Sequence, residues 1–270
     1  MKVLLACEES GTVRDAFAKL GHNAWSCDVL PIRKPGNHYQ GYLEDFIGNG
    51  NDWDMIIAFP PCTYLTIAAE WAYKDPSEIK NKKLSPDKLY GEARKQAREE
   101  AAAFFMMIAN NECKKITIEN PIGVMSTRYR KPDQIIQPWQ FGHNASKQTC
   151  LWLKGLPRLQ HTKIIPPAGY QEVKYAGLMP LCPDCEEESF CVEHGMHFAD
   201  CSCIGPTQDD VFYKTVNGYD FGTFTAGLRP VWGNQTPSGY NKLGPSPTRA
   251  RDRAVTFQGI ADAMAEQWVR

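Results

Sequence analysis

The chain lacks an excess of either charge: 30 lysines and arginines stand against 31 aspartates and glutamates, for a formal net charge of −1. Such a balance gives no global attraction to a polyanion, so any contact with nucleic acid has to come from local basic patches. No apolar run approaches the roughly 18 to 20 residues that a membrane helix needs, which argues against a helical membrane span. The opening MKVLLACEES carries one lysine and a very short apolar stretch before Cys7. That is far less than the hydrophobic region of a secretory leader, and it reads as a first strand. No GxxxxGK[ST] loop occurs, so a P-loop nucleotide hydrolase is not supported. Internal repeats and low-complexity tracts are also missing.

What is present is an ordinary globular composition, 43% hydrophobic and 23% charged over 270 residues, enough for one large domain with an inserted lobe. KVLLAC, HNAWSCDVL, DMIIAF and KKITIEN read as strands. DMIIAF is too continuously apolar to be half-exposed, as expected of a parallel sheet covered on both faces. Between them, Val13, Phe17 and Leu20 share one helical face ahead of Gly21, and Ala93, Ala97, Ala101, Phe104, Phe105 and Ile108 form the buried stripe of a longer helix. Alternating strands and helices predict an open, doubly wound, mostly parallel α/β sheet.

Ligands in such sheets sit beyond the carboxyl ends of the strands. Cys7 to Gly11, Asp28, Pro60 to Cys62 and Glu119 to Pro121 all fall there. From about residue 157 to residue 247 periodicity weakens and Pro and Gly become frequent. The sequence therefore divides into a core over 1–156, an inserted lobe over 157–247, and a returning helix over 248–270, with Val255, Ile260, Ala261, Met264 and Trp268 on its apolar face.

Five of the ten cysteines lie between Cys182 and Cys203 with two histidines among them. The set Cys182, Cys185, Cys191, His194, His197, Cys201 and Cys203 has the spacing of tetrahedral zinc ligands rather than of disulfides, which points to the cytoplasm. Seven ligands leave two arrangements open: one site with spare cysteines, or two sites with a shared or different ligand. Eight acidic residues and no lysine or arginine fall between Cys182 and Asp210. Such a lobe should repel phosphates, and is expected to hold the insert in shape or to meet a protein partner. Tyr213, Tyr219, Trp232 and Asn234 are candidates elsewhere in the lobe for reading bases.

Two prolines cannot continue a strand ladder, so FPPCT leaves the sheet stiffly extended and delivers Cys62 to the crevice. IENP ends the following strand and brings Glu119 to the same place. This pair, in this order, resembles the DNA (cytosine-5) methyltransferase family, in which a Pro-Pro-Cys turn carries the nucleophile and a Glu-Asn-Val segment the partner acid. The resemblance covers roughly residues 1–156 and the last 25 or so, and suggests a compact, phage-type member acting in a host cytoplasm.

It implies a methyltransferase-type sheet, a covalent Cys62 adduct on a flipped cytosine, and Glu119 stabilising the ring. It further implies S-adenosylmethionine held by Cys7, Glu8, Ser10, Gly11, Asp28, Asp45 and Pro60, and DNA contacts from Asn120, Lys147, Arg249 and Arg251. ACEESG replaces the family's glycine-rich turn and keeps only Gly11, while Lys147 and Thr149 stand where two arginines are usual. A catalytically inactive, regulatory DNA-binding relative is the alternative these departures raise. Phe59 before the prolines and Cys62 after them argue against transfer to an exocyclic amine. Between Trp71 and Arg98, eight basic residues (Lys74, Lys80, Lys82, Lys83, Lys88, Arg94, Lys95 and Arg98) against four acidic ones suggest a phosphate-contacting loop.

Overall fold

The computed structural model describes residues 1–48, 52–67, 69–80, 84–175, 190–191, 196–197, 224–236, 242–244, 246 and 248–269. The chain divides into two compact units, the first comprising Met1–Ile136, Thr149–His161 and Val255–Arg270, the second Gln137–Gln148 and Thr162–Ala254.

The first unit is built on a seven-stranded sheet. Its strands are β1 (Lys2–Ala6), β2 (Asn23–Asp28), β3 (His38–Gln40), β4 (Met55–Ala58), β5 (Ile116–Asn120), β6 (Gln134–Ile136) and β7 (Thr149–Lys154). They lie in the order β3-β2-β1-β4-β5-β7-β6. The pairings from β3 across to β5 are all parallel, whereas β7 runs antiparallel to both of its neighbours. This is the mostly parallel α/β sheet expected from the sequence. The chain order reverses between β1 and β4, which makes their carboxyl ends the topological switch point, where open α/β sheets bind their ligands.

Val3, Leu4, Leu5 and Ala6 are all fully buried, as are Met55, Ile56, Ile57 and Ala58. Such runs are buried because helices cover both faces. On one face Leu4, Ala6, Ile56, Ala58, Ile116 and Ile118 share a core with Phe105 and Ile108 of α2 (Gly91–Ala109). Strand alternation turns Val3, Leu5, Met55 and Ile57 to the other face. Helix α1 (Thr12–Lys19) packs there against α5 (Gln258–Trp268). Short α3 (Met125–Arg128) follows β5 and is tied to α2 by the Arg128–Glu99 ion pair at 2.8 Å.

The stripe on α2 differs from the one predicted. Ala93 is exposed, and the buried positions in its first half are Gly91, Arg94 and Arg98, followed by Phe105 and Ile108. Basic residues hold inward positions there because polar loop atoms lie beneath them, as described below.

Unit boundaries also differ from the sequence division. Residues 157–161 stay with the first unit, where Trp268 Nε1 donates to the Pro157 carbonyl and Gln267 exchanges two hydrogen bonds with Gln160. Residues 137–148 belong to the second unit, where Gly142 N donates to Lys163 O and Ile165 N to Trp139 O. That unit also contains β8 (Tyr170–Tyr175) paired antiparallel with β11 (Phe224–Pro230), β9 (Phe190–Cys191) paired with β10 (Met196–His197), and α4 (Arg249–Ala254).

Candidate active site

The strand ends of the first unit carry the candidate residues, and the β1–α1 turn is the most constrained. Cys7 is a non-glycine residue in the left-handed region, φ 58°, a conformation that persists only where the surroundings hold it. Gly11, φ 72°, also lies in the left-handed region that favours glycine, and a Cβ there would press against the Arg14 guanidinium. Glu8 is buried and accepts from Val13 N at 2.8 Å, Arg14 N at 3.3 Å and Ser10 Oγ at 3.0 Å. Ser10 Oγ in turn accepts from Thr12 N. Burial pushes the Glu8 carboxyl above its ordinary value, although the hydrogen bonds from Val13, Ser10 and Arg14 pull the other way.

The donors that a phosphate would seek at a helix start are therefore engaged by the chain's own side chains. The sequence reading placed Glu8 and Ser10 against a cofactor; here both face the first turn of α1.

Arg14 was not singled out from sequence. Nearly fully buried, it donates from Nη2 to the carbonyls of Lys34 and Pro35 and pairs with Asp15 at 2.6 Å. Arg33 Nε reaches Glu9 at 2.7 Å. Together these contacts fix the segment between β2 and β3 over the turn.

Asp28 ends β2 at the position from which an acid reaches ribose hydroxyls in nucleotide-binding sheets. Its Oδ1 accepts from Leu30 N at 2.9 Å. Asp45 and Glu44 are exposed on a short turn after β3. Burial first, then the charges of Asp28, Glu44 and Asp45, push the Cys27 thiol up to about 12. Cys7 is driven further up, by burial first and then by Asp28, Cys27 and Glu44. The carboxylates of Asp28 and Glu44 thus act on the thiols at the ends of both β1 and β2.

At β4 the ladder with β1 extends to Phe59, whose N–H donates to Ala6 O at 2.9 Å, and then the prolines end it. Pro60 is buried and Cys62 half-buried. The Cys62 carbonyl accepts from both Leu65 N and Thr66 N at 3.0 Å, so the chain turns sharply after the thiol.

Two ties join this turn to the end of β5. Asn120, buried, donates from Nδ2 to the Pro60 carbonyl at 2.9 Å. Val124 N donates to Leu65 O at 2.8 Å, and Thr66 bridges to Gly123, where a Cβ would overlap the Leu65 carbonyl oxygen. Glu119, half-buried, lies one residue before Asn120 and opposite Leu151 of β7. Its charge, after burial, is the second cause that pushes the neighbouring Cys150 thiol up to about 12.

The structure therefore brings Cys62, Pro60, Glu119 and Asn120 to adjacent strand ends of one unit, with Cys7, Gly11 and Asp28 at the ends of β1 and β2. Lys147, Arg249 and Arg251 belong to the second unit. The Lys147 N–H donates to Gln137 Oε1 at 2.8 Å, and Thr149 is buried in β7. Of the candidates for reading bases, Trp232 stacks on Trp139 at 5.7 Å, and Asn234 both accepts from and donates to the Ser146 backbone.

Of the zinc candidates, Cys182, Cys185, His194, Cys201 and Cys203 lie outside the described residues, as do Tyr213 and Tyr219. Cys191 and His197 are described as backbone only, in the paired strands β9 and β10. No described helix is long and apolar enough to cross a membrane. No family model matches the chain, and no curated protein matches it.

Thiol chemistry gives a first expected outcome. Burial raises the Cys113 thiol as well, so four of the five cysteines of the first unit resist ionisation. Since the thiolate is the nucleophile, brief iodoacetamide treatment at pH 8 should label Cys62 before Cys7, Cys27, Cys113 or Cys150. Peptide mapping that finds any of those four labelled first would contradict this.

Proposed function

We propose that this chain is an S-adenosylmethionine-dependent DNA (cytosine-5) methyltransferase with Cys62 as nucleophile. The observation that carries the reading is the Asn120–Pro60 hydrogen bond at 2.9 Å, which locks the Pro-Pro-Cys turn to the Glu-Asn-Pro strand end. Two segments distant in sequence and chemically complementary are held together by a buried side chain.

Cytosine C5 is too weak a nucleophile to take a methyl group directly. The Cys62 thiolate adds to C6, and the displaced electron pair gives C5 enamine character. Glu119, protonated and donating to N3, offsets the negative charge arriving on the ring. C5 would then take the methyl group from the sulfonium of S-adenosylmethionine, whose sulfur would keep the bonding pair and leave as a neutral thioether. Loss of the C5 proton to solvent restores the C5–C6 double bond and expels the Cys62 sulfur as thiolate. Reaching a base within a duplex requires flipping it out, at a few kcal/mol.

S-adenosylmethionine would supply the electrophilic methyl group. The residues at the β1 and β2 ends fit it. Asp28 suits ribose hydroxyls, and the carboxylates of Asp28, Glu44 and Asp45 together suit a sulfonium cation. The occupied start of α1 disfavours a pyrophosphate cofactor such as a dinucleotide, which the sheet alone would also accommodate. Zinc in the cysteine-rich segment, and the role of that segment as a scaffold or protein-binding surface, are proposed from the sequence.

Incubation with mixed-sequence DNA and methyl-labelled S-adenosylmethionine, followed by digestion to nucleosides, should yield labelled 5-methylcytosine. Label on an exocyclic nitrogen would overturn the cysteine mechanism. Binding of both ligands without any labelled nucleoside would favour the inactive, DNA-binding relative.

A further inference from the structure

The segment that follows Cys62 is held from beneath by two arginines of α2. Arg98, 9% exposed, donates from Nε to the Tyr64 carbonyl at 2.8 Å, and its guanidinium lies 3.6 Å from the centre of the Tyr73 ring. Its Nη2 pairs with Glu70 at 2.5 Å. Arg94, 7% exposed, points Nη2 at the Thr63 carbonyl, 3.5 Å away, and lies over the rings of both Tyr64 and Tyr73. Tyr73 closes the arrangement by donating from Oη to Tyr64 O at 2.9 Å. The backbone carbonyls of the first two residues after the candidate nucleophile are thus both aimed at buried guanidinium groups. A planar guanidinium can serve a carbonyl, a carboxylate and an aromatic face at once, whereas a lysine ammonium cannot.

We propose that Arg98, supported by Arg94, is a positioning residue that fixes the turn carrying Cys62, so that the thiol is preset before nucleic acid arrives. Taken as a catalytic arrangement, this rests on the methyltransferase reading; as a statement about the thiol, it does not. The clamp acts on the thiol through the Thr63–Tyr64 backbone. It also gives these two basic residues a role other than phosphate contact. Glu70, half-exposed, is the outer member of the clamp and orients the guanidinium.

The test measures two rates on the full chain. One is iodoacetamide alkylation of Cys62, followed by peptide mapping in the absence of DNA. The other is methyl transfer, resolved into kcat and KM for S-adenosylmethionine. Arg98→Met should change the Cys62 alkylation rate at least fivefold and lower kcat 10- to 100-fold, with KM for the cofactor within twofold. Arg98→Lys should restore less than half of the lost rate. Glu70→Gln removes an exposed partner and leaves the buried packing intact, so it keeps the test available if Arg98→Met does not fold; a three- to tenfold fall in kcat is expected. A folded Arg98→Met, or Glu70→Gln where that is the only folded variant, with alkylation and kcat both at wild-type values overturns the clamp. Altered Cys62 alkylation in the variants, together with a wild-type chain that transfers no methyl group, would leave the clamp standing and overturn the methyltransferase reading instead.

Discussion

Cys62→Ser is expected to reduce methyl transfer by roughly four orders of magnitude or more, the scale on which removing a covalent nucleophile acts, while S-adenosylmethionine binding stays within about twofold. The reasoning lies in the geometry of the turn. Pro60 is buried and its carbonyl is held by Asn120, and the Cys62 carbonyl is held by two backbone donors. None of these contacts involves the sulfur, so serine should keep the backbone in place. What it loses is nucleophilicity: a hydroxyl at neutral pH offers no comparable anion. Isothermal titration with the cofactor and a radiolabel transfer assay on the same preparation check both halves. Turnover within tenfold of wild type would show that the methyl group reaches its acceptor without sulfur addition.

Glu119→Gln is expected to lower kcat by about 10²- to 10³-fold, the usual loss when one preorganised group facing developing charge is removed, with a small effect on folding. Glu119 is half-buried at the penultimate position of β5 and forms no ion pair among the described residues. Glutamine preserves its volume and one acceptor oxygen but has no acidic proton to share with N3 as negative charge arrives on the ring. A second consequence follows from the neighbouring thiol. The Glu119 charge is one cause of the high Cys150 value, so removing it should ease Cys150 ionisation slightly. Cys150 is buried in β7, and burial remains the larger cause, so it should stay slow to alkylate. Single-turnover rates with wild type and variant would measure the main effect. A rate unchanged by the substitution would remove Glu119 from the mechanism.

Much of the sheet was legible because its signals are local. The runs at Val3–Ala6 and Met55–Ala58 are apolar without interruption, and only a strand covered on both faces uses such a run. The two site segments were legible for a related reason: proline pairs and strand-end acids mark where a parallel strand stops. Strand β3 was missed because three residues, His38, Tyr39 and Gln40, carry neither alternation nor a continuous apolar run. The reversal of β7 depends on pairing with β5 and β6, and pairing partners leave no mark in a strand's own pattern.

Arg94 and Arg98 were misread for a physical reason. An arginine inside a helical stripe is read as surface, yet its guanidinium can be buried when carbonyl oxygens and aromatic faces await it. Glu8 is a parallel case. An acid beside a turn glycine looks like a ligand contact, but three donors at the start of α1 are within its reach, and a helix start favours a carboxylate. Both cases show partners that sequence spacing does not reveal, since Arg98 meets residues 28 to 34 positions away.

The central claim is that the Cys62 sulfur bonds to C6 of the target base during turnover, and DNA carrying 5-fluorocytosine tests it most directly. Once the methyl group is on C5, fluorine cannot leave as the proton does, so the adduct has no way to collapse. Incubation with S-adenosylmethionine should give a protein–DNA complex that survives denaturation, with the nucleotide mapped to the peptide containing Cys62. Recovery of that peptide unmodified, from a chain shown to bind both the DNA and the cofactor, would contradict the account.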